Sequence, residues 1–104
     1  MEEQETTETI NSNSVEQDEE IIYPNPADQF FYVEQNFNNE KLNDDCTIFM
    51  IDLFGRTVLI QPTQIENGIL KTIVDLPDSI SAGIYLVEVR TASTHSVQRI
   101  IISK

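Results

Sequence analysis

A chain of 104 residues with a net charge of −12 has room for one domain and a modest core. Eight of its eighteen acids lie in residues 1–20, which hold no Lys or Arg, and residues 21–104 keep ten acids against six bases. Without clustered Lys and Arg the chain lacks the footprint of a nucleic-acid binder or of a protein adsorbed on anionic lipid. Its single cysteine, Cys46, excludes an internal disulfide.

Residues 1–20 are Glu, Thr, Asn, Ser and Gln with two isolated aliphatics, Ile10 and Val15. Such a segment buries too little apolar surface to offset the entropy of ordering it, so it reads as a flexible acidic linker ahead of a domain at 21–104. The opening Met1-Glu2-Glu3-Gln4-Glu5 is acidic where a secretory leader is basic, and no segment reaches the ~18 apolar residues of a membrane helix.

Ile21-Ile22-Tyr23 starts the apolar pattern and runs into Pro24-Asn25-Pro26, which forbids a helix. Phe30 to Glu34 is aromatic and β-branched, a strand with Phe31 and Val33 inward and Phe30 and Tyr32 outward. Asn36 to Asp45 is a polar loop. Cys46 to Leu53 is apolar on both alternating faces, as in a central strand, and its predicted core members are Phe49 and Ile51. Phe54-Gly55-Arg56 turns the chain into Thr57 to Ile60, with Val58 inward, and Pro62 is expected to end that strand. Asn67-Gly68 marks another turn before Leu70 to Leu76, whose Leu70, Val74 and Leu76 share a face. Gly83 opens Ile84 to Arg90, with Tyr85, Val87 and Val89 inward. The last strand, Val97 to Ser103, has no cleanly polar face, which predicts cover on both sides or a bulge.

Seven short strands separated by turn signals and no credible helix predict an all-β, seven-stranded antiparallel immunoglobulin-like β-sandwich. Chemistry is sparse. Cys46 lies in an apolar run, far in sequence from the lone His95. Asn43-Asp44-Asp45 lacks the further acids and turn glycine of a calcium loop, and nothing in the spacing brings Asp52 to Asp75 as a catalytic pair. Zinc spacing, a phosphate loop and a Ser/His/Asp arrangement are also missing, so no enzyme, metal or cofactor is expected.

Three segments resemble the signature blocks of the C-terminal sorting domains of type IX secretion, in family order and spacing. They are Ile22-Tyr23-Pro24-Asn25-Pro26-Ala27 with Phe31 and Val33 following; Ile51-Asp52-Leu53-Phe54-Gly55-Arg56-Thr57-Val58; and Val74-Asp75-Leu76 leading to Ile80-Ser81-Ala82-Gly83-Ile84-Tyr85-Leu86-Val87-Glu88-Val89. Within these blocks the resemblance points to Pro24, Asn25, Pro26, Asp52, Gly55, Gly83 and Tyr85 as motif residues. The family usually carries Lys in its last strand; here Arg99 stands in that strand and Lys104 is the last residue. The resemblance implies a label on an exported cargo of a Gram-negative bacterium, with the cargo and its leader preceding Met1. It implies transit through the periplasm, recognition by the outer-membrane translocon and its shuttle protein, and a surface sortase cutting the linker around Asn11-Ser12-Asn13-Ser14-Val15. The cargo then stays on the cell surface or is released. A competing reading is an adhesive or carbohydrate-binding module presenting Phe30 and Tyr32.

Overall fold

The computed structural model describes residues 19–104, which form seven strands and no helix. β1 is Glu19–Tyr23, β2 Phe30–Asn36, β3 Asp44–Ile51, β4 Thr57–Ile65, β5 Ile69–Asp75, β6 Gly83–Arg90 and β7 His95–Ile102. Every pairing within the sheets is antiparallel, in the orders β1-β2-β5 and β4-β3-β6-β7. First, second and fifth strands on one sheet, with the rest on the other, make the immunoglobulin-like sandwich expected from the turn spacing.

The core forms where the two inner faces meet. Phe31 and Val33 of β2 and Leu70 and Val74 of β5 supply one side; Ile48 and Met50 of β3, Val87 and Val89 of β6, and Ile100 and Ile102 of β7 supply the other. All are fully buried, and each aliphatic or aromatic side chain withdrawn from water contributes roughly 1.5–3 kcal/mol before entropy is charged.

Phe49, Ile51 and Val58 do not belong to this core, contrary to the sequence expectation. In β3 the inward set is Cys46, Ile48 and Met50, while Phe49 and Ile51 are half-buried on the outer face. Both faces of that strand are apolar, so period-two alternation carries no information about phase. A bulge between Met50 and Ile51 then shifts the register, placing Leu59 opposite Met50 and inward, and Val58 outward. Pro62 does not end β4, which continues to Ile65. This is an edge strand, paired only with β3, so a residue without an N–H is tolerated there. β3 also reaches back to Asp44, taking Asp44 and Asp45 out of the loop.

The last strand is neither bulged nor covered on both faces: β7 pairs with β6 without a register shift. Its inner face is apolar at Ile100 and Ile102 and polar at Ser96 and Gln98. Those two meet Glu20 of the opposite sheet: the Ser96 hydroxyl donates to Glu20 Oε1 at 2.9 Å and Gln98 Nε2 to the Glu20 carbonyl at 3.0 Å. Glu20 is thereby part of β1, although its composition places it in the linker.

Asn67-Gly68 is more than a turn. The buried Gly68 donates its N–H to the Leu42 carbonyl and accepts the Phe37 N–H, each at 2.8 Å, stitching the β2–β3 loop to the β4–β5 turn. A Cβ at Gly68 would lie 2.3 Å from the Asn39 carbonyl oxygen, so the two backbones touch only because glycine stands there.

Candidate functional site

The first block leaves β1 and crosses to the other sheet. Pro24 and Pro26 remove the donors that would prolong the ladder with β2. Ala27, completely buried, forms a parallel bridge with Ile102: its N–H donates to the Ile101 carbonyl and its own carbonyl accepts the Ser103 N–H, both at 2.8 Å. Asn25 substitutes a side-chain amide for a strand neighbour. Its Oδ1 accepts the Ile101 N–H at 3.0 Å and its Nδ2 donates to the Arg99 carbonyl at 3.4 Å. The free edge of β7 is therefore occupied by the first block. The same end is tied again by Lys104, whose Nζ donates to the Pro77 carbonyl at 2.6 Å.

The second block is a turn built on one carboxylate. Asp52 Oδ1 accepts the backbone N–H groups of Phe54 and Arg56, both at 2.9 Å, and Oδ2 accepts Arg56 Nε at 2.8 Å. Two backbone bonds, Asp52 N–H to the Arg56 carbonyl and Gly55 N–H to the Asp52 carbonyl, close the loop, and Gly55 takes a φ of +87°. The Arg56 N–H, followed by the Arg56 guanidinium and the Phe54 N–H, holds the Asp52 carboxyl below its ordinary value. The tip is apolar and open to water, with Phe54 85% exposed.

The third block places Gly83, with a φ of +153°, opposite Ile102 at the start of β6. Tyr85, two residues on, turns its ring into the core and sends its hydroxyl to the Ser81 carbonyl at 2.7 Å. A buried tyrosine bonded to backbone four residues upstream is the corner device of immunoglobulin-like sandwiches, and it satisfies the one polar atom of that ring.

These blocks meet. Asp52 to Arg56 and Ser81 to Tyr85 line one shallow cleft of about 220 Å³, while Gly83 and Ala27 flank Ile102 from opposite sides. Pro24, Asn25, Pro26, Asp52, Gly55, Gly83, Tyr85 and Lys104 thus gather at one pole of the sandwich. Residues 1–18 attach at the other pole, since Glu19 pairs with Asn36, and β2 spans about 20 Å from there to Phe30. Arg99 points out of the sheet near the motif pole, with only its backbone held. The proposed cut at Asn11-Ser12-Asn13-Ser14-Val15 lies outside the described residues.

Cys46 is buried, and burial first, with the nearby Asp44 and Glu20 charges, pushes its thiol up to about 11. Asp45 accepts Gln64 Nε2, and His95 pairs with Arg90 across the β6–β7 hairpin. Phe30 and Tyr32 do cluster, joined by Tyr23 stacked on Tyr32 at 5.2 Å; the Tyr23 hydroxyl donates to Glu34, which with burial and the Glu34 charge raises its pKa. Sequence reasoning missed Ala27 as a core residue, Glu20 as a bridge between the sheets, and Gly68 as a contact. Of these, only the Asn67-Gly68 turn dipeptide carried a signal.

The described residues thus form an immunoglobulin-like sandwich with its motif blocks gathered at one pole. The chain belongs to the secretion system C-terminal sorting domain family, whose model matches residues 21–103, and it is a C-terminal sorting signal of type IX secretion. That family is one of sorting signals, not of enzymes. The crystal structure of dimeric latent PorU from Porphyromonas gingivalis is similar in fold, with a TM-score of 0.62 and 18% identity. The similarity covers 82% of this chain and 9% of that one, so this chain spans a small fraction of that protein. No curated protein matches the chain.

Proposed function

We propose that residues 19–104 are the address read by the type IX outer-membrane translocon and its shuttle protein, on a cargo fused ahead of residues 1–18. The cargo reaches the translocon from the periplasm of a Gram-negative cell. A surface sortase then cuts the acidic segment around residues 11–15, leaving the cargo on the cell surface or free in the medium. The observation that carries this reading is the gathering of all three family blocks, with the end of β7, at one pole. Residues held there by backbone bonds form a rigid surface to read, and the segment to be cut attaches about 20 Å away.

The test is export of a periplasmic reporter fused ahead of residues 1–104 in a type IX-competent host. Reporter on the cell surface or in the medium, shortened by a cut upstream of Glu19, is the expected result. Retention in the periplasm, while a known sorting domain exports the same reporter, would reject the proposal.

The cluster of exposed Tyr23 and Phe30 with half-buried Tyr32 favours a second reading, a module that stacks sugar rings on surface aromatics. Under it, the chain binds host surface polysaccharide and Tyr32→Ala abolishes that binding; under the sorting reading the variant is exported normally.

A further inference from the structure

An antiparallel sheet that packs one face on the core ordinarily turns a polar face to water. The four-stranded sheet does not. Ile60 is 60% exposed, Val97 49%, and Ile84 and Ile101 are also open to solvent, with Phe49 and Leu86 half-buried among them. These are neighbours in register. Phe49 lies between Ile60 and Glu88, Glu88 lies beside Val97, Leu86 lies beside Arg99, and Ile84 faces Ile101. Directly opposed side chains on one face sit ~5 Å apart, so this is one mainly apolar surface, crossed by Glu88 with Arg90 and bordered by Arg99. Surfaces of that kind mark protein contacts.

Charge identifies the partner. Glu88 accepts Arg90 Nη2 at 3.0 Å, and the Arg90 guanidinium lies over the Phe49 ring at 4.5 Å, so that pair is internally matched. Asp45, at the far edge of the face, accepts Gln64. Arg99 remains: its backbone is held by Asn25, and its side chain enters no ion pair among the described residues. A lone guanidinium within an apolar field calls for a carboxylate on whatever covers it, because burial of an unpaired charge is costly and a charge-assisted bond is strong there. A second copy of this chain is a poor cover, since its Glu88 is already paired with Arg90 and its Asp45 lies at the far edge of the face, away from Arg99.

We infer that the outer face of the four-stranded sheet docks a protein of the export machinery, one presenting an apolar patch with a carboxylate placed to meet Arg99. This inference rests on the sorting reading and extends the surface read at the motif pole, which Ile84, Arg99 and Ile101 adjoin, along the outer face of the sheet.

The experiment uses the full chain behind the periplasmic reporter. Val97→Glu and Arg99→Glu change exposed side chains and should leave circular dichroism unchanged, with Val97→Glu, set beside Glu88, lowering the melting temperature by no more than several degrees, yet each lowers exported reporter by at least about tenfold, as loss of a central interface contact does. Arg99→Lys keeps export within about twofold, and Ile73→Glu, on the outer face of the other sheet, leaves it unchanged. A photo-crosslinker at Val97 captures an outer-membrane component of the type IX machinery in the otherwise unmodified fusion, and loses it in Arg99→Glu. If the unmodified fusion is exported and the two folded Glu variants are exported equally, the docking surface is wrong and the sorting reading stands. If the unmodified fusion is retained, the sorting reading fails and the docking surface fails with it. Sedimentation of the free chain supplies the last outcome: a dimer dispersed by Val97→Glu would assign the face to a second copy and overturn the inference.

Discussion

Gly55→Ala and Gly68→Ala are superficially the same substitution. Both glycines sit in turns with nearly equal left-handed φ, +87° and +79°. An L-residue held there costs roughly 1–2 kcal/mol, offset in part by ~0.4–1 kcal/mol from a less flexible unfolded chain. The net backbone cost is therefore about 1 kcal/mol at either site. Their surroundings differ. Nothing lies within 4 Å of a Cβ at Gly55, whereas at Gly68 the Asn39 carbonyl oxygen would be 2.3 Å away and its carbon 2.8 Å. Those are backbone atoms of a loop tied to Gly68 through Leu42 and Phe37, so they cannot rotate aside. Displacing them adds roughly 1–3 kcal/mol, the usual penalty of overpacking, giving about 2–4 kcal/mol for Gly68→Ala. Urea unfolding of the full chain followed by circular dichroism measures both. A shared slope licenses direct comparison of midpoints, and each 1 kcal/mol corresponds to roughly 4–8 °C in melting temperature for a domain of this size. Equal destabilisation of the two variants would refute the reasoning, since it would mean that the backbone contact at Gly68 carries no energy.

Removing the Tyr85 hydroxyl with Tyr85→Phe should cost about 0.5–1.5 kcal/mol through the lost bond to Ser81, against roughly 3–5 kcal/mol for Tyr85→Ala, both read from urea midpoints. Asn25→Ala should raise amide exchange selectively at Ile101, with β3 and β6 unaffected; protection at Ile101 equal to the parent would contradict the role given to the Asn25 amide. Asp52 has a folded pKa below its unfolded value, so its stabilisation is present above the unfolded pKa near ~3.9 and is lost as pH falls through the folded value. Phe54 and Arg56 amides should accordingly lose protection, measured against their intrinsic exchange rates, only in acid, and Asp52→Asn should abolish that pH dependence. Cys46 should resist thiol reagents at pH 8 in the native chain and react at once in denaturant, as a buried thiol raised to about 11 requires.

Strand number and order of chemistry were legible because Pro, Gly and Asn punctuate the chain at intervals only short strands satisfy. Inward faces were legible where polar residues alternate, as at Tyr85, Val87 and Val89 against Glu88 and Arg90. They were illegible in β3, where Phe49 and Ile51 are as apolar as Ile48 and Met50, and the bulge that sets the phase of β4 leaves no mark in composition. Pro62 misled because a stop signal in a central strand is admissible at an edge, and edge status belongs to topology. The motif residues stood out by resemblance, but their work did not. Asn25 and Ile101 are 76 positions apart, and no local pattern announces that an amide on one will cap the backbone of the other. Composition assigns Glu20 to the linker because seven other acids precede it in residues 1–20, while its partners Ser96 and Gln98 lie near the other end of the chain.

The bridge from Ala27 to Ile102 also orders events in time. Synthesis runs from the first residue to the last, and Asn25 and Ala27 find no strand to join until residues 99–103 have been added. Such a contact is formed late by necessity, since its loop encloses almost the whole domain. A chain interrupted before residue 99 displays a first block with nothing to close it, and β6 loses the neighbour that pairs with it from Gly83 to Arg90. Completion of the label therefore certifies that translation of everything ahead of it has finished. A partner that reads only the closed sandwich would, by that geometry alone, pass over an unfinished chain.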